Sequence, residues 1–123
     1  MSVANTIRRA LGLSTKIGFP LFDAQVGFEK AVFELLSDWD RVAAVILVSN
    51  IKHELATRGP TAQVILEIHQ MNLAALRQLY GRTLPMRGVF DDDTWIERMA
   101  EVIKVGEEIE AALADLASRG AWS

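Results

Sequence analysis

Three clusters of glycine and proline divide the sequence into segments with helical periodicity. They lie at Gly18–Pro20, Gly59–Pro60 and Gly81–Gly88. Between them, apolar residues recur at intervals of three or four positions, and no segment keeps the two-residue alternation of a half-buried strand. The breaks therefore predict an all-α fold, an antiparallel four-helix bundle over residues 20–118.

The ends of these helices follow from residues that start or stop helices. Pro20 suits a first helical turn, because the N–H that proline lacks would be unpaired there. Asp38 is a candidate N-cap, Thr94 begins a capping-box pattern with Glu97, and Gly81 is a candidate stop. The four main helices are therefore predicted over approximately residues 21–36, 39–58, 61–80 and 94–118.

The length of 123 residues predicts a single helical domain. Residues 20–118 form the predicted bundle. Residues 1–19 form an N-terminal arm with a short extra helix, since Val3, Ile7 and Leu11 fall on one stripe. A helix this short is unstable alone. We expect it to dock on its own bundle or on a neighbouring chain.

The most apolar part of the chain is the run from Val42 to Val48. Periodicity alone leaves open whether this run is a buried strand or a helix. We favour a helix, because the pattern continues amphipathically through Ile51 and Leu55 and no other segment is available to pair with a lone strand. A helix that is apolar on every side is either central in its fold or covered by another subunit.

The last predicted helix carries residues at a spacing of 4-3-4-3-4-3, which is typical of a coiled-coil seam. Its partner helix can lie in the same chain or in another copy. Trp122, near the C-terminus, is expected to fold back onto the bundle or to anchor a partner. The predicted interaction residues of this seam are Trp95, Met99, Val102, Gly106, Ile109 and Leu113, followed by Leu116.

His53 is the first candidate for chemistry. Phosphoryl transfer needs a helical, accessible histidine with a carboxylate or hydroxyl nearby, and Glu54 and Thr57 are of these types. The sequence His-Glu-Leu-Ala-Thr at this point resembles the start of the phosphoacceptor box of sensor histidine kinases, although Arg58 and Gly59 stand where that box has proline. The resemblance implies a passive histidine phosphotransfer module, since no nucleotide-binding domain follows.

A metal site is a third hypothesis. His53, His69 and Glu54 come from helices predicted to be antiparallel neighbours, so they could hold one metal ion. The di-metal bundle pattern Glu-x-x-His is absent, because Leu66 and Asn50 precede the two histidines by three residues.

Several classes of function lack support in the sequence. The chain has no cysteine, and it has neither a nucleophile-elbow motif nor a glycine-rich phosphate loop, so no cofactor is predicted. Nine acids against three bases in residues 91–123, within a net charge of −3, argue against nucleic acid as a partner. No apolar run approaches the ~20 residues of a membrane span. We expect a cytoplasmic protein without a membrane partner.

An excess of apolar helical surface remains to be explained. Hydrophobic residues make up 50% of the chain, and their burial is easier in a homo-oligomer than in a monomer. The leading hypothesis is therefore a non-enzymatic helical interaction protein: a self-associating adaptor, a chaperone-like protein or an assembly subunit. Phosphotransfer through His53 is the alternative, and metal binding comes third.

Overall fold

The computed structural model of the protein describes residues 20–89 and 93–119. Within these ranges the chain forms four α-helices and one short 3-10 helix, with no strand, so the all-α prediction is confirmed. The predicted N-terminal arm lies outside the described residues. The helices are α1 (Pro20–Trp39), α2 (Arg41–Arg58), α3 (Ala62–Thr83) and α4 (Thr94–Ser118), with the 3-10 helix at Leu84–Met86.

Side-chain caps decide where two of the helices begin. The Asp40 carboxylate accepts a hydrogen bond from the Ala43 N–H at 3.0 Å, and Asp40 alone separates α1 from α2. The sequence predicted Asp38 as this cap, but α1 continues through it to Trp39. The Thr61 hydroxyl caps α3 in the same way by accepting from the Val64 N–H at 3.3 Å. Both caps supply an acceptor for a backbone N–H that has no partner within its own helix.

Of the two glycines that could end a helix, only Gly59 does so. Gly59 adopts a φ of 80° and donates its N–H to the Leu55 carbonyl at 3.0 Å, which ends α2. Gly81, predicted as the stop of α3, lies inside that helix, which continues to Thr83. An isolated glycine weakens a helix without breaking it. The α-helix ends at Thr83 and passes directly into the 3-10 helix at Leu84–Met86. Pro85 has no N–H to donate to the carbonyl four residues earlier, so the α-helical hydrogen-bond pattern cannot continue there.

The start of α4 also differs from the predicted capping box. Thr94 is the first helical residue, and Asp93 precedes it. The Asp93 carboxylate accepts from the Gly88 N–H at 3.1 Å, so it ties the preceding loop to the helix.

Ion pairs at both ends orient α2 against α3. Arg58 at the end of α2 binds Glu67 near the start of α3 at 2.8 Å. Asp40 at the start of α2 lies 3.3 Å from Arg82 near the end of α3. The two helices therefore run in opposite directions, as expected for helices joined by the short connection of residues 59–61.

All four helices contribute to one hydrophobic cluster, but to very different extents. In α3, eleven residues are buried, including His69 and Asn72. In α2, only Ala44, Leu47 and Ile51 are buried. Of the two alternatives left open for the apolar second helix, a central position within its own chain does not apply: α3 takes that place, and α2 lies at the periphery. Among the described residues, no helix is long and apolar enough to span a membrane.

Candidate functional site

His53 lies on the exposed side of α2. The two groups predicted to orient its ring are engaged elsewhere. The Thr57 hydroxyl donates to the His53 backbone carbonyl at 2.8 Å, which is a bond to the main chain of its own helix. The Glu54 carboxylate lies 3.2 Å from the Arg58 guanidinium. The three phosphotransfer candidates are therefore neighbours on one helix. Neither Glu54 nor Thr57 contacts the His53 imidazole.

Arg58 organises this end of the α2–α3 hairpin. Its two terminal nitrogens donate to the two carboxylate oxygens of Glu67, each at 2.8 Å, in a bidentate pair. The hydrogen bonds that Arg58 donates to Glu67 raise the pKa of Arg58 and lower the pKa of Glu67. Because this cluster is exposed to solvent, it holds the hairpin weakly and provides no sheltered site for chemistry.

His69 has the opposite environment. Its side chain is fully buried, its ring centroid lies 4.7 Å from that of Phe28, and its Nε2 lies 2.7 Å from the Gly106 carbonyl oxygen. A carbonyl oxygen only accepts, so Nε2 carries the proton. The buried Nδ1 is then an acceptor, and no described residue donates to it. Burial lowers the pKa of His69, so the neutral ring is favoured.

The metal hypothesis does not fit these positions. His53 is exposed on α2, whereas His69 is enclosed between α1, α3 and α4. Among residues 20–89 and 93–119, no three His, Cys, Asp or Glu side chains are grouped so that they could hold a metal ion. The predicted set of His53, His69 and Glu54 is thus not assembled, because His53 is exposed to solvent on α2 whereas His69 is buried against Phe28 of α1 and Gly106 of α4.

The heptad residues of α4 are packed inside the chain. Met99, Val102, Ile109 and Leu113 are each no more than 4% exposed. Gly106 is packed so tightly that a Cβ built on it would lie 2.6 Å from the Phe28 ring and 2.9 Å from Leu73. The seam therefore finds its partner helices, α1 and α3, in the same chain. These side chains would contact another protein only if the core opened.

Trp95, the first residue of the seam, is half-buried. Its ring lies against Trp39 at the end of α1, with centroids 4.6 Å apart and a tilt of 40°. The pair lines an open groove with Asp38, Glu97 and Arg98. Trp122 lies outside the described residues.

A second row at heptad spacing, which was not predicted from the sequence, runs along the solvent side of α2. Residues 42, 46, 49, 53 and 56 follow one another at intervals of 4-3-4-3. We call this row the α2 outer face: Val42, Ile46, Ser49, His53 and Ala56, with Val45 beside them. All six are exposed. The spacing was readable from the sequence, but the apolar residues around it concealed which side of the helix would be covered.

The α2 outer face is unusually apolar for an exposed helix surface. Val42 is 70% exposed, and Val45 and Ile46 are each 55% exposed. The segment from Val42 to Ile51 contains no charged residue. Single exposed apolar residues are ordinary, but neighbouring ones on an uncharged helix face are typical of an interaction surface.

A groove between α1 and α2 combines apolar walls with a buried amide. We call it the Asn72 groove: it has a volume of about 330 Å³ and is lined by Phe33, Leu47, Val48, Ile51, Asn72, Glu29, Lys30 and Glu34. Asn72 is 1% exposed, and its Nδ2 donates to the Ile68 carbonyl at 3.1 Å. Its buried Oδ1 receives no hydrogen bond from the described residues.

The orientation of this amide is defined by chemistry. If the Asn72 amide were flipped, its oxygen would face the Ile68 carbonyl oxygen, and two acceptors would repel each other. The unpaired atom is therefore an acceptor. Glu29 lines the same groove. Burial raises the pKa of Glu29, and a hydrogen bond from Gln25 at 3.1 Å partly offsets this.

Comparison with known proteins adds no further candidate. No protein-family model, curated protein or solved structure matches this chain. Two features of its own surface thus stand out: the α2 outer face and the Asn72 groove.

Proposed function

We propose that this protein is a non-enzymatic helical interaction protein that self-associates through the α2 outer face. The observation that carries the proposal is the exposure of Val42, Val45 and Ile46 on consecutive turns of a peripheral helix. The core of a protein interface is depleted in charge, and this segment has none from Val42 to Ile51. Covering these side chains would remove apolar surface from water, which is the main favourable term in protein association.

A second copy of the chain is the occupant that the spacing favours. Apolar residues at 4-3 intervals fit between those of a matching helix, and a two-fold axis would place the same face of each copy against the other. Because the centre of the face is uncharged, it offers no electrostatic feature that selects an oppositely charged partner. Ser49 and His53 would then lie in the contact row, where polar residues lower stability and define register.

Light scattering behind a sizing column, over a wide dilution series, tests this proposal. The wild-type chain is expected to give a multiple of 13.6 kDa at high concentration and to dissociate on dilution. Val42→Glu and Ile46→Glu should remain monomeric, because each would bury like charges in a symmetric contact. Glutamate is also a better helix former than either residue, so loss of association would not be explained by loss of the helix.

Val89→Glu is the matched control. Val89 is 69% exposed, as Val42 is 70% exposed, but it lies in the loop after α3. This variant should associate like the wild type. A wild-type chain that is monomeric at every concentration would overturn the proposal, and it would make either residues 1–19 or a different protein the candidate cover of α2.

Phosphotransfer through His53 is the second candidate, and the exposure of His53 on a helix is the observation that favours it. The engagement of Glu54 and Thr57 with other groups means that a response regulator would have to supply the orienting groups. Incubation with acetyl phosphate or phosphorylated response regulators should then give acid-labile phosphate on the wild type and none on His53→Ala. Phosphate that persists in His53→Ala, or none on the wild type, would exclude this function.

A further inference from the structure

The Asn72 groove holds a buried polar atom at an apolar site. An amide oxygen that is shielded from water and receives no hydrogen bond destabilises the folded state. A ligand that donates a hydrogen bond would remove this cost. The volume of about 330 Å³ lies at the lower end of the range for small-molecule sites.

Charge further restricts the ligand. Two carboxylates, Glu29 and Glu34, line the groove against one ammonium, Lys30. Glu29 is partly shielded from solvent, which is why its pKa is raised, and a cation beside it would offset that desolvation. Glu34 is also paired with Arg98 at 3.9 Å, whereas Glu29 accepts only from the Gln25 amide among the described residues. The polar groups of the groove that lack a counterpart are therefore the Asn72 amide oxygen and the Glu29 carboxylate.

The apolar lining completes the description of the ligand. Phe33 is 41% exposed at the mouth, whereas Leu47 and Ile51 are buried below it. Such walls fit a short hydrocarbon or aromatic body and contribute through the area removed from water. A small, fully polar cation would leave them uncovered.

We propose that the Asn72 groove is a binding site for a small primary amine with an apolar body, whose ammonium group donates to Asn72 Oδ1 and lies beside Glu29. This site is separate from the α2 outer face, and the proposal does not depend on self-association. It uses the inward side of α2, lined by Leu47, Val48 and Ile51.

The test is an NMR titration of the isotope-labelled full-length chain with three probes that share one hydrocarbon body: n-hexylamine, 1-hexanol and hexanoate. Hexylamine should shift the Asn72 side-chain amide signals and the backbone signals of residues 47–51. Hexanol should bind about tenfold more weakly, a difference of about 1.4 kcal/mol, because it lacks the charge. Hexanoate should bind most weakly, because its carboxylate meets an acceptor and two carboxylates.

Two variants separate the polar and apolar contributions. Asn72→Leu has a similar volume and removes the buried acceptor, so it should fold and should lose most of the preference for amine over alcohol. Val48→Trp fills the groove from its half-buried wall and should weaken all three probes. Val89→Trp, in the loop after α3, is the control for an added indole and should bind as the wild type does.

Equal affinity for the three probes would overturn the proposal, since it would show a purely apolar site. Absence of shifts at Asn72 with hexylamine would also overturn it, and would indicate that water satisfies Oδ1. Retained preference for hexylamine in Asn72→Leu would assign the selectivity to the carboxylates alone and would reject the role given to the amide.

Discussion

Two helices carry rows of residues at the same 4-3 spacing, and they differ in what covers those rows. In α4, Met99, Val102 and Leu113 have no exposed surface, because α1 and α3 pack over them. On the α2 outer face, Val42 and Ile46 are more than half exposed. The spacing creates a continuous ridge in both helices. The position of the helix in the fold decides whether that ridge becomes core or surface.

The composition of the two rows matches their positions. The α4 row includes Gly106, where the absence of a side chain lets the Phe28 ring approach. The surface of α4 at this point is therefore complementary in shape to α1. The α2 row includes Ser49 and His53 and has no such close contact within the described residues. A ridge that is apolar without a tightly matched neighbour is what we expect of a surface that associates reversibly.

Truncating one residue in each row should give the largest difference in the free energy of unfolding. Leu113→Ala should lower the free energy of unfolding by about 2–5 kcal/mol, because it leaves a cavity in the core. Ile46→Ala should change it by no more than about 0.5 kcal/mol, because Ile46 is already more than half exposed to water. Denaturant unfolding followed by circular dichroism measures both, at concentrations where the chain is monomeric. A comparable loss for Ile46→Ala would show that the monomer covers α2 itself.

Replacing two of the glycines by alanine should change the stability of the fold in opposite directions. Gly106→Ala should destabilise the fold by about 1–3 kcal/mol, because its Cβ would overlap the Phe28 ring and Leu73. Gly81→Ala should stabilise it by up to about 1 kcal/mol, because it improves helix propensity in α3 and its Cβ meets nothing within 4 Å. Thermal unfolding of the two variants measures the difference. If both substitutions stabilised, α4 would not be packed against Phe28 as described.

Replacing the two histidines should give the smallest change in stability, and this change should depend on pH. Burial lowers the pKa of His69 in the folded state, so the unfolded chain binds a proton first as the pH falls below about 6.5. Stability should then decrease with falling pH, by at most about 1.4 kcal/mol per pH unit from this one proton.

His69→Gln keeps a donor for the Gly106 carbonyl and cannot titrate, so this variant should lose that part of the pH dependence. His53→Gln, at the exposed histidine on α2, is the control and should retain it. Denaturant unfolding at a series of pH values between 7 and 5 distinguishes them. An unchanged pH profile in His69→Gln would mean that the buried ring is not the group responsible.

The sequence predicted the helices better than their surroundings. Apolar periodicity and the Gly59–Pro60 break located four helices, because these signals act over a few neighbouring residues. Caps were less predictable. Asp38 and Asp40 are both suitable residues, and only the path of the chain between α1 and α2 selects Asp40. Gly81 has the residue type of a stop, but α3 continues through it because packing outweighs its low propensity.

The candidate sites were harder to predict for a related reason. His53 and His69 are alike as residues in a sequence, and their burial separates them completely. Nothing in the sequence marked Asn72 as a candidate site residue. Its Oδ1 is unpaired only because the neighbouring helices exclude water and hydrogen-bond donors from it. The α4 seam was recognised, but its spacing contained no information on whether the covering helix belonged to the same chain.

The sequence by itself therefore determined the all-α class, the approximate helix lengths and the presence of more than one apolar face, because these follow from local propensity and periodicity. Only the tertiary structure decided that α3 is central, that α4 is satisfied by α1 and α3, and that α2 leaves its outer face in water. The reason is physical: burial depends on which distant segments pack together, and that choice minimises the exposed apolar area of the whole chain rather than of any one helix.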